Sequence, residues 1–227
     1  MPASDADAWC PKCDCVMDAR GHHSAACAAG NDWVTRHHAL RNLVADEAAK
    51  AGFRPELERP GLLLPDRPED THVARRRPAD VFLPNWMGGA PVAFDFAVAA
   101  PQRQETLTQA AGEDMAAARD YAARKAAFQN TAEACAAQGV LFAPMVAEST
   151  GAWEPSAEQA LRRISRAVAA REGTDPASAW TVFQQRLCVL LRRARARAEI
   201  RRQVAPIAAA APAAVATQLL LAPMCCD

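Results

Sequence analysis

Apolar positions along the chain follow two periods, and their order predicts the layout. From Asp32, the residues Val34, His38, Leu40, Leu43, Val44 and Ala48 recur on one helical face, and Gly52 ends the run. Residues 53–76 are rich in proline and charge. The short apolar stretch Gly61-Leu62-Leu63-Leu64-Pro65 inside them reads mainly as loop. Two strand-like runs follow, Ala79 to Leu83 and Val92 to Ala99, separated by a turn-forming composition over residues 84–89. An alanine-rich helix is expected over 105–138, closed by Gly139, then a strand in the run Val140 to Val146. Two further helices are expected at about 155–171 and 177–203.

A sheet with helices packed on it is the natural arrangement of this order. The expected class is α/β (α+β). Its parts are a knuckle over 1–31, a mixed sheet flanked by helices over 32–150, C-terminal helices over 151–204 and an Ala/Pro-rich tail over 205–227. Pro206, Pro212, Thr217 and Gln218 interrupt that tail, so an extension is expected there and not a membrane anchor.

Composition sharpens this picture. The chain has 227 residues, is 51% apolar with 6% aromatics, and leans on alanine, so its core is built from many small side chains. Lys plus Arg equals Asp plus Glu at 26 each. A protein that coats nucleic acid is usually basic overall, so any polyanion must be met by local patches. The first residues lack a basic stretch followed by an apolar one, so no secretory signal is expected. Of the eight cysteines, three fall within six positions near the start. That clustering favours metal ligation over a disulfide framework, in a reducing compartment, cytoplasm or nucleus.

Cys10-x2-Cys13 sets two thiolates on one tight turn, and His23 and Cys27 follow, with Gly21 letting the chain fold back. Four such ligands can close a tetrahedral zinc shell, which implies a structural site. By spacing alone, His22 can replace His23 and Cys15 can replace Cys13. A second constellation is Arg76-Arg77-Pro78-Ala79-Asp80, then Asp95 within an otherwise apolar strand, then Tyr121 and Lys125 four apart on one helical face. A buried unpaired charge such as Asp95 is costly. Were the strands neighbours, the two carboxylates would converge, and Mg²⁺ or Mn²⁺ would suit the site. Lys125 would then stand beside a scissile phosphate. The plainer reading pairs Asp80 with Arg76 or Arg77 and leaves Lys125 solvated.

The ordered set from Cys10 to about Gly151 resembles the C-terminal region of non-LTR retrotransposon proteins that carry a restriction-like endonuclease. The matching pieces are CPKC, Gly21-His22-His23 with Cys27, Arg36-His37-His38-Ala39-Leu40-Arg41, RRPAD, AFDFAV and Tyr121-x3-Lys125. The resemblance implies a zinc knuckle before a PD-(D/E)xK-type nuclease that nicks DNA. Asp80 and Asp95 would be metal ligands, Lys125 the displaced lysine with Tyr121 beside it, and Arg36, Arg76 and Arg77 would lie near nucleic acid. Glu47 falls where some members of that superfamily hold a further acidic residue. The sequence departs from the pattern in reading Pro-Ala-Asp for Pro-Asp and Ala97 where the standard motif has lysine. Nothing in it resembles a reverse transcriptase, so a detached element tail is expected.

The functional expectation is therefore a metal-dependent endonuclease acting on DNA, with RNA as the other polymer, and with no membrane partner and no small-molecule cofactor. Two alternatives are a catalytically silent nucleic-acid-binding remnant and a helical interaction module. The first draws on the arginines of the last helix, Arg192, Arg193, Arg195, Arg197, Arg201 and Arg202. The second draws on Val182, Phe183, Leu187, Leu190 and Leu191. Trp153, Trp180, Cys135 and Cys188 are expected to pack, and His37 and His38 to lie near the core or the site without ligating metal.

Overall fold

A computed structural model describes residues 8–202, apart from positions 14, 20, 28, 66 and 68. The tail expected over 205–227, with Cys225 and Cys226, lies outside the described residues. The chain opens with a short hairpin of β1 (Ala8–Trp9) and β2 (Val16–Met17), then α1 (His22–Ala26). The first long helix, α2 (Asp32–Lys50), and β3 (Glu56–Leu57) and α3 (Thr71–Arg75) precede the hairpin β4 (Val81–Met87) and β5 (Ala90–Ala99). Helices α4 (Gln104–Gly112), α5 (Ala116–Ala127) and α6 (Thr131–Ala137) then lead into β6 (Leu141–Glu148). The chain closes with α7 (Pro155–Glu172) and α8 (Pro176–Ile200).

The main sheet runs in the order β3-β4-β5-β6. Its first three strands are antiparallel neighbours, while β6 pairs parallel to β5 after the helical crossover. This is the mixed sheet flanked by helices that the alternating pattern implies. Each strand residue faces opposite to the next, so the sheet has two distinct sides. Val81, Leu83, Val92, Phe94, Phe96, Met145 and Ala147 pack with α2, α7 and α8 in the larger core. Phe82 and Ala93 meet Leu62, Leu63 and Cys135 on the other side, and Ala97, Ala99 and Val146 meet α5. The large core holds the molecule together, and the thinner side, covered by alanine-rich helices, carries Asp95.

The apolar stripe of α8 is used within the chain. Phe183, Leu187 and Leu191 are buried against α2, α7 and the sheet, and Trp153 joins the same core. Asp175 and Glu154 cap α8 and α7 by accepting backbone N–H bonds, with proline in the first turn of each.

Two expectations are corrected. The residues expected as one helix over 105–138 form three, because Met115, Gln129 and Asn130 take left-handed backbone angles. High alanine propensity favours helix but supplies little side chain to hold a long straight one in place. The breaks let α5 lay Ala117 and Ala118 on the sheet while α6 buries Cys135 elsewhere. The turn expected over 84–89 shrinks to Gly88-Gly89, whose φ values are 58° and 86°. Pro84 stays within β4 at a register irregularity, where its missing N–H is tolerated. The run Gly61 to Pro65 is loop, as expected, with Leu62 and Leu63 buried.

Candidate functional site

The knuckle gathers Cys10, Cys13, His23 and Cys27, whose ligand atoms all lie within 4.8 Å of one another. Cys13 Sγ is 3.3 Å from His23 Nε2 and 3.6 Å from Cys27 Sγ. A tetrahedral ion with Zn–S bonds of about 2.3 Å sets sulfurs about 3.8 Å apart, so the donor set and spacing suit a metal such as zinc. The two positions that spacing left open are decided here. His23 enters the cluster, while the ring of His22 lies 3.7 Å from Asp18. Cys13 enters it, and Cys15 contributes instead its carbonyl, which accepts from the Cys10 N–H at 2.8 Å. Gly21 reverses the chain with φ 72°, and the Asp18 carboxylate accepts from the N–H groups of His22 and His23 at the start of α1.

Burial pushes the Cys13 thiol up to about 12, helped by the neighbouring Cys27 and Cys10 sulfurs. Burial acts the same way on Cys27 but is outweighed by the Ala29 N–H and by Arg202, so Cys27 falls below the ordinary thiol range. Arg202 is fully buried. Its guanidinium donates to Asp32 Oδ2 at 2.7 Å and to the Ala29 carbonyl at 2.8 Å. The end of α8 is thereby tied to the knuckle and to the start of α2.

The second cluster follows from strand register. Val81 pairs with Phe94 and Phe82 with Ala93, so continuing the ladder one residue back sets Asp80 opposite Asp95. Like charges directly opposite are destabilising, and the local contacts show how they are accommodated. Asp80 Oδ2 accepts from the Phe96 N–H at 2.6 Å, taking the place of a ladder carbonyl beyond the end of β4. His37, from α2, lies with Nε2 3.2 Å from Asp80 Oδ1. On the other side Lys125 Nζ, from α5, lies 2.6 Å from Asp95 Oδ2.

The two carboxyl groups are driven apart in acidity. Burial raises Asp95 most; Asp80 adds to this and Lys125 opposes it, leaving Asp95 at about 6. Burial also acts to raise Asp80, but His37, the Phe96 N–H and Lys125 outweigh it, so Asp80 lies below the usual carboxylate range. One carboxylate is secured in its charged form, and the other is poised close to neutrality.

Asp95, Tyr121, Arg124 and Lys125 stand where two clefts meet. One is a cavity of about 350 Å³ running toward Trp33, Arg36 and Arg103 and bounded by the knuckle at Cys27. The other, of about 530 Å³, runs toward Arg76, Arg77 and Phe128. Arg76 is anchored to the Gln129 carbonyl and the Thr131 hydroxyl, and Arg77 to Glu58. Neither arginine pairs with Asp80, whose partner is His37.

The other residues that the sequence singles out fall elsewhere by geometry. Glu47 is buried, pairs with Lys50 and Arg186, and lines neither cleft. Arg192 is exposed on α8, and Arg193 lines a separate groove of about 600 Å³ between α2 and α8. The basic helix does not converge on the carboxylates. Arg195 is paired with Glu199, and Arg201 and Arg202 with Asp32. His37 lies at the site, as its place in the Arg-His-His run led one to expect, and Arg202, read only as part of a basic helix face, is buried beside the knuckle; Trp33, Arg103 and Arg124 join them without a sequence cue. Among the described residues, the knuckle is the one place where three or more Cys, His, Asp or Glu ligand atoms gather for a metal, and no helix is long and apolar enough to cross a membrane. Comparison with family models, with curated proteins and with solved structures finds no match.

Proposed function

We propose that this chain is a metal-dependent endonuclease of the restriction-like kind, with a structural zinc knuckle ahead of it, as the resemblance to retrotransposon endonuclease regions implies. The observation that carries the reading is the Asp80–Asp95–Lys125 cluster. Two carboxylates from the paired ends of neighbouring strands and one ammonium gather here, with Asp95 and Lys125 lining the junction of two arginine-lined clefts and Asp80 beside Asp95 in the ladder, held by His37. Asp80 and Asp95 offer the hard oxygen donors that Mg²⁺ or Mn²⁺ takes. Such an ion, when bound, supplies Lewis acidity to a phosphodiester and a more acidic water.

The remaining roles belong to side chains of the chain. His37 and the Phe96 N–H hold Asp80 in place and keep it ionised. Lys125, on a helix and not on β5, sits where Ala97 offers no cation and can hold a phosphate oxygen as negative charge develops. Arg76, Arg77 and Arg124 supply local positive charge that the neutral whole lacks, so a phosphate backbone lying along the clefts meets cations on both sides of the carboxylates. DNA is the preferred polymer on the strength of the resemblance.

A second reading has its own observation. The 2.6 Å ion pair between Lys125 and Asp95 already compensates the buried carboxylate, which suits a binding protein that no longer cleaves. Nicking of supercoiled plasmid separates the two. The expected result is cleavage that requires Mg²⁺ or Mn²⁺ and is lost in Asp80→Ala and Asp95→Ala. Cleavage unchanged in both variants, or none from a folded wild-type chain, would defeat the nuclease reading.

A further inference from the structure

The cavity between the knuckle and the sheet has a composition that the catalytic cluster alone does not require. Among its described lining residues Asp95 is the one carboxylate and is taken up by Lys125, and Arg124 pairs with Asp120 on its own helix, so Arg36 and Arg103 are the further cations on this cavity. Trp33 stands at the same cavity with half its surface open, an unusual exposure for the largest apolar side chain. Arg36 is pushed down chiefly by burial, with Asp32 opposing this and Arg103, on the same cavity, adding a smaller push.

Volume decides the form of the polymer. About 350 Å³ lies at the lower end of small-ligand pockets, enough for roughly one nucleotide. A duplex, whose major groove alone is about 12 Å wide, cannot enter. Aromatic stacking beside a positive groove is the general means of holding unpaired strands.

We propose that this cavity takes one unpaired nucleotide of a single strand, its phosphate between Arg36 and Arg103 and its base against Trp33, next to the Asp80–Asp95–Lys125 cluster. The proposal rests on the polynucleotide reading above and narrows it to substrates with unpaired residues beside the scissile bond.

The test is fluorescence anisotropy with the full chain, zinc-loaded and without added Mg²⁺, so that no strand is cut. The probes are a labelled oligothymidylate and a blunt duplex of equal length. The single strand is expected to bind at least about tenfold tighter. Trp33→Ala and Arg103→Glu are each expected to weaken it about tenfold, while Arg166→Glu, an exposed change on α7, leaves it unaltered. Unchanged circular dichroism keeps the variants interpretable. Equal affinity for duplex, variants that bind like wild type, or displacement by thymidine monophosphate at oligonucleotide concentrations would each overturn the proposal.

Parallel plasmid nicking keeps the two claims apart. Metal-dependent nicking without a single-strand preference removes the cavity proposal and spares the nuclease. Strand binding lost in Arg103→Glu without any nicking does the reverse.

Discussion

The two polar clusters of this protein solve the problem of buried charge in opposite ways. In the knuckle, four soft or borderline ligands turn inward on one another, with Cys10 and Cys27 buried and four protein donors enough to fill a tetrahedral shell. At the sheet, Asp95 and Lys125 line two cavities and Asp80 lies beside Asp95 in the ladder, with Asp80 and Asp95 still about one-fifth to one-quarter exposed. A closed shell serves the fold, because a fourth protein ligand leaves no place for substrate. An open one leaves room for a ligand. The contrast teaches that clustering alone does not identify a reactive centre; the direction in which the groups face does.

The largest effect that would break the comparison lies in the knuckle. Freshly purified protein is expected to hold one zinc per chain by elemental analysis, and Cys10→Ser or Cys27→Ser to lose it. Structural zinc contributes folding free energy on the order of several kcal/mol or more, so both variants should melt well below wild type. Because Arg202 joins Cys27 to Asp32 and Ala29, the loss should also loosen the end of α8 and raise its amide exchange. Metal-free protein with an unchanged melting temperature would end the structural role assigned to the cluster.

Next in size is the loss at the sheet. Asp80→Ala and Asp95→Ala are expected to reduce nicking by at least about a hundredfold. Neither should release zinc. A variant that lost both activity and zinc would collapse the distinction between the two clusters.

A smaller effect comes from the raised pKa of Asp95. In the folded chain this carboxyl holds its proton up to about 6, against an unfolded value of 3.8. Between those values the folded state binds more protons than the unfolded one, so stability from this group falls as pH rises through the window. Asp80 behaves oppositely, since its lowered value gives stability that is present above the ordinary carboxylate range and lost in acid below it. Urea unfolding of zinc-loaded protein without added Mg²⁺ at pH 4.5 and 6.5 should show, for this group, a decline on the order of 1 kcal/mol that Asp95→Asn removes. An identical decline in Asp95→Asn would assign it to other groups.

Sequence legibility tracks the same contrast. The knuckle is local, so spacing within eighteen residues nearly names its ligands, and only the His22/His23 and Cys13/Cys15 ambiguities needed coordinates. The sheet cluster is long-range. Asp95 was readable because a charge interrupts an apolar alternation, yet its neighbour depends on a register that begins at Val81 and Phe94. Strands β5 and β6 and helices α2, α7 and α8 were legible from periodicity and from caps, within a few residues. The breaks at Met115 and Gln129 were not, because neither residue is a usual left-handed former and the surrounding alanines favour helix. Trp33 and Arg103 gave no local signal, since what singles them out is a cavity that three separate segments enclose.

The smallest change that still sharpens the comparison concerns His37. Its ring touches Asp80 from α2, the helix that also carries Asp32, the residue gripping Arg202 beside the knuckle. One helix therefore connects the closed cluster to the open one, and in the proposed nuclease His37 would be a positioning residue acting through Asp80. Substituting a side chain that orients a metal-binding carboxylate commonly costs about tenfold to a hundredfold in metal affinity or activity. His37→Gln keeps a donor of similar reach, whereas His37→Ala leaves Asp80 with the Phe96 N–H as its remaining hydrogen bond here. The expected result is nicking reduced about tenfold in His37→Ala, mostly recovered at saturating Mg²⁺, and nearer wild type in His37→Gln. A role confined to helix packing would lower melting temperature in both variants and leave the Mg²⁺ concentration for half-maximal nicking where it was. A raised Mg²⁺ requirement in His37→Ala alone, with zinc content unaltered, would show that α2 holds the open cluster in order without passing its effect back to the closed one.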